Sequence, residues 1–210
     1  MRDIFISATS TGIGKTFTAL MAIDILSKEN LRVGVFKPIE SGVKDIPNDG
    51  YLLFEKAKKV NPNLKDLTLD DIVPYQFSLP AAPYVAKGDI KISIKKLINS
   101  YQKIKDRSDI VLIEGAGGLM VPIELNLFMV DLIEIFRANT LLVVPSYLGS
   151  INETLLNIEF LKSKKLKFKW VINVQDKSFY SITKPFYDDY FKKYYTLENL
   201  KEPLISLLKN

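Results

Sequence analysis

Residues Ile4 to Thr16 read IFISATSTGIGKT, and this stretch decides the fold. An apolar run, Ile4 to Ser7, passes directly into a turn rich in small residues, and a segment of helical period, Thr16 to Ser27, follows the turn. A glycine-rich turn at a helix N-terminus directs unpaired backbone N–H groups at one point, where the helix dipole adds positive charge. The stretch therefore predicts a phosphate-binding loop between a buried strand and a helix.

The side chains of this loop suit a bound triphosphate. Lys15 can reach terminal phosphates, and the Thr16 hydroxyl can bind Mg²⁺. The loop departs from the usual pattern, because Thr9 stands where the common spacing places a glycine and Ala8 precedes it. A tight turn with a surface lysine is the alternative interpretation, and the strand–loop–helix context favours the phosphate loop over it.

Short apolar runs along the chain predict a parallel sheet. Each run is nearly continuous in apolar character, as in strands that helices cover on both faces. The predicted strands are Ile4 to Ser7, Arg32 to Phe36, Ile110 to Ile113, Thr140 to Val144 and Trp170 to Val174. Helical segments alternate with these strands, and one of them is Leu127 to Arg137. The proline-rich stretch from Asn61 to Asp89 is expected to be an irregular excursion from this alternation. We therefore expect one domain over residues 1–210, an α/β fold with a three-layer parallel sheet flanked by helices, like that of P-loop NTPases.

Charged residues follow two other strands of the predicted sheet. Glu114 ends the run Ile110 to Ile113, and Lys37 comes directly after Arg32 to Phe36. The carboxyl ends of parallel strands meet at one edge, so both should lie near Lys15, with Glu114 able to ligate Mg²⁺. Asp49, in the predicted loop Pro47 to Gly50, is another metal carboxylate or simply a turn residue.

Composition limits the chemistry open to the chain. Cysteine and histidine are absent from the 210 residues, so no disulfide, thiol nucleophile, imidazole base or Cys/His metal site can form. The net charge of +5 favours anionic partners such as nucleotides, phosphates or nucleic acid. The N-terminus does not read as a signal peptide, and no apolar stretch is long enough for a membrane, so we expect a cytoplasmic protein without membrane partners.

Together, these motifs resemble the dethiobiotin synthetase family, and they occur in that family's order. They are the loop Ala8 to Thr16, the Lys-Pro-x-x-Ser-Gly motif Lys37 to Gly42, Asp49, the proline-rich segment Pro74 to Pro83, the motif Glu114 to Gly118, the Leu-Gly-x-Ile-Asn motif Leu148 to Asn152, and a late strand ending in Asn173. The match spans roughly residues 3 to 175.

The resemblance implies an ATP-dependent ligase of biotin biosynthesis that uses MgATP, CO₂ or bicarbonate, and 7,8-diaminopelargonate. The diamine takes up CO₂ as a carbamate, the carbamate attacks the γ-phosphate, and the second amine closes the ring of dethiobiotin and expels phosphate. The resemblance also implies a homodimer whose substrate site lies at the interface.

The resemblance assigns roles to particular residues. Lys15 and Lys37 are the catalytic cations, and Thr16, Asp49 and Glu114 hold Mg²⁺. The residues assigned to binding the nucleotide and its metal are Gly12, Ile13, Gly14, Lys15, Thr16, Phe17, Asp49, Glu114, Gly115, Ala116, Gly117 and Asn173. Substrate is assigned to Thr11 and Ser41 at its carbamate end and to Leu148, Gly149, Ser150 and Asn152, from the neighbouring subunit, at its carboxylate.

Two departures from the family pattern stand out. In the loop, Ala8 stands where the family usually has a glycine, and Gly12 stands where it often has an acidic residue. The Gly-Glu-Ile-Pro-like segment that helps hold adenine in the family does not occur in Asp176 to Asn210. The selectivity for the nucleotide base therefore stays open.

Three other functions fit the sequence less well. A partition-type ATPase usually carries a further lysine early in the loop, and here Ala8, Thr9 and Ser10 stand there. An amidoligase usually brings a glutaminase domain with a cysteine, which this chain lacks. A basic nucleic-acid-binding protein would suit Lys162 to Lys169, but no recognition motif accompanies that segment, so we expect no nucleic-acid partner.

Overall fold

The computed structural model describes residues 2–209. Nine strands are found there: β1 (Ile4–Ala8), β2 (Val33–Phe36), β3 (Ile39–Ser41), β4 (Tyr75–Phe77), β5 (Ile110–Gly118), β6 (Pro122–Glu124), β7 (Leu127–Phe128), β8 (Asn139–Val144) and β9 (Phe168–Ile172). The α-helices within 2–209 are α1 (Lys15–Lys28), α2 (Asn48–Val60), α3 (Leu69–Ile72), α4 (Pro83–Ala86), α5 (Ile94–Lys105), α6 (Asp131–Ile135), α7 (Ser150–Ser163), α8 (Phe179–Ile182), α9 (Lys184–Tyr190) and α10 (Lys201–Leu208). Short 3₁₀ turns cover Pro62–Leu64 and Leu197–Asn199.

A five-stranded parallel sheet in the order β2-β5-β1-β8-β9 forms the centre of the molecule. Every residue of β1, β2 and β8 is buried, which matches the continuous apolar runs of the sequence. The predicted parallel sheet flanked by helices is confirmed. Within residues 2–209, no helix has the length and apolar character that crossing a membrane would require.

β5 is longer than the sequence predicted, and this changes the place of Glu114. The strand continues through Gly118, where it still pairs with Ala8 of β1 after a shift of register. Glu114 therefore lies within the strand, opposite Ile6, rather than at its end. β9 in turn stops at Ile172, so Asn173 follows the strand instead of ending it.

Two other local predictions were wrong. Leu127 to Arg137 is not one helix, because Leu127 and Phe128 pair antiparallel with β6 and only Asp131–Ile135 is helical. The carboxylate of Asp131 accepts the N–H of Phe128 at 2.7 Å, which fixes this turn. The excursion 61–89 is not irregular throughout, since it contains α3, α4 and β4, and β4 forms a small parallel sheet with β3.

Candidate active site

The phosphate loop connects β1 to α1 and ends in a glycine that cannot be replaced without strain. Gly14 caps α1 with φ of 100°, in the left-handed region that favours glycine. A Cβ built on it would lie 2.4 Å from Nδ2 of Asn173. Nδ2 of Asn173 also donates a hydrogen bond to the carbonyl of Ile13 at 2.8 Å. Asn173, which directly follows β9, thus holds the loop through this hydrogen bond.

Lys15 is held inside this loop. Its Nζ donates to the carbonyl of Ser10 at 3.2 Å, so the chain curls around its own lysine. Burial, with the positive charge of Lys37 as a second cause, lowers the pKa of Lys15 to about 8. A bound phosphate would restore the charged form, because an anion stabilises a nearby ammonium group.

Lys37 and Glu114 form a buried ion pair beside the loop. Lys37 Nζ lies 2.6 Å from Oε1 of Glu114, and the side chains are 3% and 1% exposed. Lys37 Nζ also lies 3.4 Å from Oδ2 of Asp49 and 3.4 Å from the carbonyl of Gly115. Burial alone would lower the pKa of Lys37, but the carboxylates of Glu114 and Asp49 outweigh it and raise that pKa. Lys37 is therefore a fixed positive charge.

Oxygen ligands for a hard cation meet at the same place. The Thr16 hydroxyl donates to Oε1 of Glu114 at 3.0 Å, while Oε2 of Glu114 is buried without a hydrogen-bond partner among residues 2–209. An orphaned carboxylate oxygen beside a hydroxyl fits Mg²⁺, which prefers such donors. Residues 2–209 contain no cluster of three or more acidic side chains able to hold a metal by themselves, so phosphate oxygens and water would complete the shell.

Asp49 lies in a helix rather than in the predicted loop. It is the second residue of α2, whose N-cap residue, Pro47, supplies no side-chain hydrogen bond. Glu40 of β3 supplies it instead: Oε1 accepts the N–H of Asp49 at 3.0 Å, and Oε2 accepts the N–H of Gly50 at 2.9 Å. Burial raises the pKa of Glu40, although these N–H groups and Lys37 oppose the shift.

A cavity of about 310 Å³ collects most of the predicted site residues. Its walls include Thr11, Gly12, Gly14, Lys15, Thr16, Lys37, Ser41, Asp49, Glu114, Ala116 and Gly117. Glu40 also lines it, although the sequence analysis did not assign that residue to the site. Three carboxylates and two lysines thus face one space, a charge balance that leaves room for a divalent cation.

Other predicted residues lie outside this cavity within the described chain. Ile13 is buried beneath the loop, Gly115 lies in β5 with its carbonyl toward Lys37, and Asn173 contacts the loop from β9. Phe17, by contrast, is 58% exposed on α1.

The segment Leu148 to Asn152 lies at the start of α7, away from the cavity walls of its own chain. Leu148 is 81% exposed, and Asn152 is exposed on the first turn of α7. Free N–H groups are expected at this helix start. The N–H of Ser150 is not free, because it donates to the carbonyl of Tyr147 at 3.0 Å, and the side chain of Ser150 is buried.

Glu153 links this segment to the phosphate loop and was missed in the sequence. Its carboxylate accepts the Thr9 hydroxyl at 2.9 Å and the Tyr147 hydroxyl at 3.1 Å. The contact gives the side chain at position 9, where a glycine was expected, a structural role. A glutamate one residue after Asn152 carried no motif that could have indicated it.

The lowered pKa of Lys15 predicts a pH dependence for nucleotide binding. Phosphate favours the charged lysine, so binding should weaken as pH rises through about 8, where the free lysine loses its proton. Between pH 7 and pH 9 we expect the affinity for metal-free ATP to fall about tenfold, as titration calorimetry would measure. The Lys15→Arg variant, whose charge persists at these pH values, should lose this slope. A flat profile in the unmodified protein would contradict the prediction.

Comparisons with known proteins show the family and the fold of the chain. The sequence-family model described as "AAA domain" matches residues 2–186. The chain is 46% identical to the ATP-dependent dethiobiotin synthetase BioD of Sulfurovum sp. (strain NBC37-1), covering 93% of this chain and 94% of that protein. The protein of the same name from Wolinella succinogenes is 33% identical and covers 99% and 98%. Among solved structures, a plasmid partition protein from Borrelia burgdorferi has a TM-score of 0.60 over 98% of this chain and 99% of that one; at 15% identity this likeness shows the fold alone.

Proposed function

The chain belongs to the dethiobiotin synthetase family, and from that premise we propose that it is an ATP-dependent cyclo-ligase of biotin biosynthesis. It carboxylates 7,8-diaminopelargonate and closes the ureido ring of dethiobiotin. The observation that carries the proposal is the buried Lys37–Glu114 pair beside the phosphate loop, because it places fixed charge next to a triphosphate site. Neither a cysteine nor a histidine is needed, since the nucleophile comes from the substrate.

The reaction has three covalent steps. One amine of the substrate adds to CO₂ and forms a carbamate. A carbamate oxygen attacks the γ-phosphorus, ADP leaves, and a mixed carbamic-phosphoric anhydride results. The second amine attacks the carbamate carbon, the carbon–oxygen bond to phosphate breaks, and the ring closes. The second step brings the carbamate anion against the triphosphate, so positioning and charge neutralisation are what the protein must supply.

The two lysines divide this work. Lys15 lies within the loop that surrounds the phosphates, so we assign it to nucleotide binding and to charge on the transferring phosphoryl group. Lys37 lies beside the loop on the cavity wall, fixed by Glu114 and Asp49, and we assign it to the carbamate and the anhydride. A preorganised charge in a buried site costs no rearrangement when the reaction occurs.

Thr16, Asp49 and Glu114 would hold Mg²⁺ in this scheme. The support is the unpartnered Oε2 of Glu114 and the presence of the Thr16 hydroxyl and the Asp49 carboxylate around the same space. The ion would neutralise charge on the β- and γ-phosphates of ATP.

Remaining contacts follow from the shape of the cavity. Backbone N–H groups of the loop over Gly12 to Thr16 would bind the phosphates, and β5, whose Ala116 and Gly117 line the cavity, would bound them on the other side. Thr11 and Ser41 lie at the rim and would contact the carbamate end of the diamine. Asn173 and the exposed ring of Phe17 are the residues we assign to the nucleoside.

A homodimer would complete the substrate site. Leu148 to Asn152 do not line the cavity of their own chain, and the first turn of a helix offers N–H groups to a carboxylate. Leu148 is an exposed apolar residue of this segment, and the exposed Met120 and Leu156 line one groove with Thr9 of the phosphate loop. Apolar patches of this kind mark protein interfaces. We therefore assign this surface to a second copy of the chain, whose Leu148 to Asn152 segment would bind the substrate's carboxylate.

Phosphate release tests the proposal. The protein is incubated with MgATP and bicarbonate, with and without the diamine, and with a monoamine of the same length as a matched control. Dethiobiotin should form only with the diamine, at one molecule per phosphate released, and the monoamine should give no ring-closed product. Hydrolysis of ATP at the same rate without the diamine would contradict the synthetase assignment but not the assignment of the nucleotide site. The cytoplasmic location remains a prediction.

A further inference from the structure

Glu40 is the one carboxylate in the cavity that neither the sequence motifs nor the proposed function uses. Its side chain is 7% exposed, and it lines the cavity that we assign to ATP, beside Lys37. Each of its two oxygens accepts a backbone N–H, from Asp49 at 3.0 Å and from Gly50 at 2.9 Å. Its oxygens are therefore directed at the start of α2.

These two N–H groups are the ones that a helix normally satisfies through its N-cap side chain. α2 has thirteen residues and begins after Pro47, which has no side-chain acceptor. Glu40, a residue of β3, takes over that function from outside the helix. A carboxylate there also suits the positive end of the helix dipole. The start of α2 is thus attached to the strand that carries Glu40 and Ser41.

The start of α2 lies very close to Val73, which follows α3, and in ordinary contact with Glu40 of β3. A Cβ on Gly50 would lie 2.1 Å from Cγ2 of Val73 and 3.4 Å from Oε2 of Glu40. A glycine here lets the helix start lie against both groups. β3 is held in turn by its parallel pairing with β4, in which Glu40 lies opposite Gln76.

We propose that Glu40 is a positioning residue for magnesium binding: by capping α2 from β3, it holds the Asp49 carboxylate toward Lys37 and the cation site. The inference rests on the proposed role of Asp49 as a magnesium ligand. Asp49 is the N2 residue of α2, so the hydrogen bond that caps its N–H also limits where its side chain can point. The 3.4 Å contact from its carboxylate to Lys37 Nζ is the result.

Two measurements without the diamine test this role. The first is amide hydrogen exchange at Asp49 and Gly50 in the metal-free protein, which the Glu40→Ala variant should accelerate about tenfold because the acceptors are gone. The second is the Mg²⁺ concentration that half-saturates ATP binding, which should rise about tenfold in Glu40→Ala. Glu40→Gln keeps the shape but offers one oxygen for two N–H groups, so it should shift both values in the same direction by a smaller factor.

Asp71→Asn is the matched control. Asp71 also accepts N–H at the start of a helix, from Thr68 at 2.9 Å, but it belongs to α3 and does not line the cavity. Its replacement should leave the Mg²⁺ midpoint of ATP binding unchanged. All variants are compared as folded proteins by thermal melting, so that a loss of stability alone is not read as a shift of the midpoint.

Three outcomes would overturn the inference. Unchanged exchange or an unchanged midpoint in Glu40→Ala would remove the capping role or its consequence for the metal. A full additional shift when Glu40→Ala is combined with Asp49→Ala would mean that Glu40 does not act through Asp49. If Asp49→Ala alone leaves the midpoint in place, the magnesium role of Asp49 fails, and this inference fails with it. A failure of synthetase activity would alter neither measurement, because neither contains the diamine.

Discussion

The Lys37→Gln variant is expected to lose dethiobiotin formation by roughly 10²- to 10³-fold while its affinity for MgATP changes less than about threefold. The reason is that we assign Lys37, which lies beside the phosphate loop, to the carbamate and the anhydride, on which negative charge accumulates. Glutamine keeps a hydrogen-bond donor for Glu114, whereas alanine would leave that carboxylate buried and unpaired at a cost of about 3 to 5 kcal/mol. Product formation and nucleotide binding are measured on the same folded preparation.

Lys105→Gln serves as the control for Lys37→Gln. It also removes a lysine from a buried carboxylate, since Lys105 Nζ lies 2.8 Å from Oδ1 of Asp3, but the pair lies outside the cavity. This variant should melt at a lower temperature and keep its turnover number. The division of roles between the lysines is refuted if Lys37→Gln loses most of its ATP binding, or if it forms product within about tenfold of the unmodified rate.

Mixing two inactive variants should restore activity if each site is shared between two chains. Lys37→Gln damages the chain that holds the nucleotide, and Asn152→Ala damages the chain that receives the substrate's carboxylate. Loss of a hydrogen bond to a charged group should lower activity of Asn152→Ala at low diamine concentration by about 10- to 100-fold. In a mixed dimer one of the two sites is intact, so random pairing should return about a quarter of the unmodified activity.

A second mixture tells complementation from simple addition. Lys37→Gln with Lys15→Ala cannot complement, because both residues belong to the same half of a site and every mixed dimer has two damaged sites. Heterodimer formation is verified by pulling down one tagged variant after co-refolding. Activity of the first mixture that stays at the sum of its parents, with heterodimers present, would contradict a shared site.

Much of the sheet could be predicted because the signal was local. The apolar runs of β1, β2 and β8 are buried strands, β9 is buried over its last three residues, and the bounds of all four lie close to those expected. The extension of β5 through Gly118 could not be seen, since a Gly-Ala-Gly-Gly run has no strand propensity and is held there by pairing with β1. Helix α6 was overestimated because Leu127 and Phe128 satisfy a helical period as well as a short hairpin.

The place of Asp49 depended on a contact that local sequence cannot show. Pro47-Asn48-Asp49-Gly50 reads as a turn, and the helix starts there because Glu40, a residue of another element, caps it. Glu153 was invisible for the same reason, since its partner Thr9 is distant in the sequence. Charged residues that follow a strand could be placed at one edge of the sheet, whereas Glu40 and Glu153, which act through contacts distant in the sequence, could not.

Oxygen transfer from CO₂ to phosphate tests the central claim most directly, namely that ATP is consumed by the substrate's own carbamate in the cavity between Lys15 and Lys37. A brief reaction with the diamine and MgATP is started with CO₂ labelled with the heavy oxygen isotope, and the isotope content of the released phosphate is measured by mass spectrometry. We predict one heavy oxygen in each phosphate, because the carbamate oxygen that bonds to phosphorus leaves with it. Phosphate released in step with ADP but free of heavy oxygen would show that water attacks ATP, and would contradict the account.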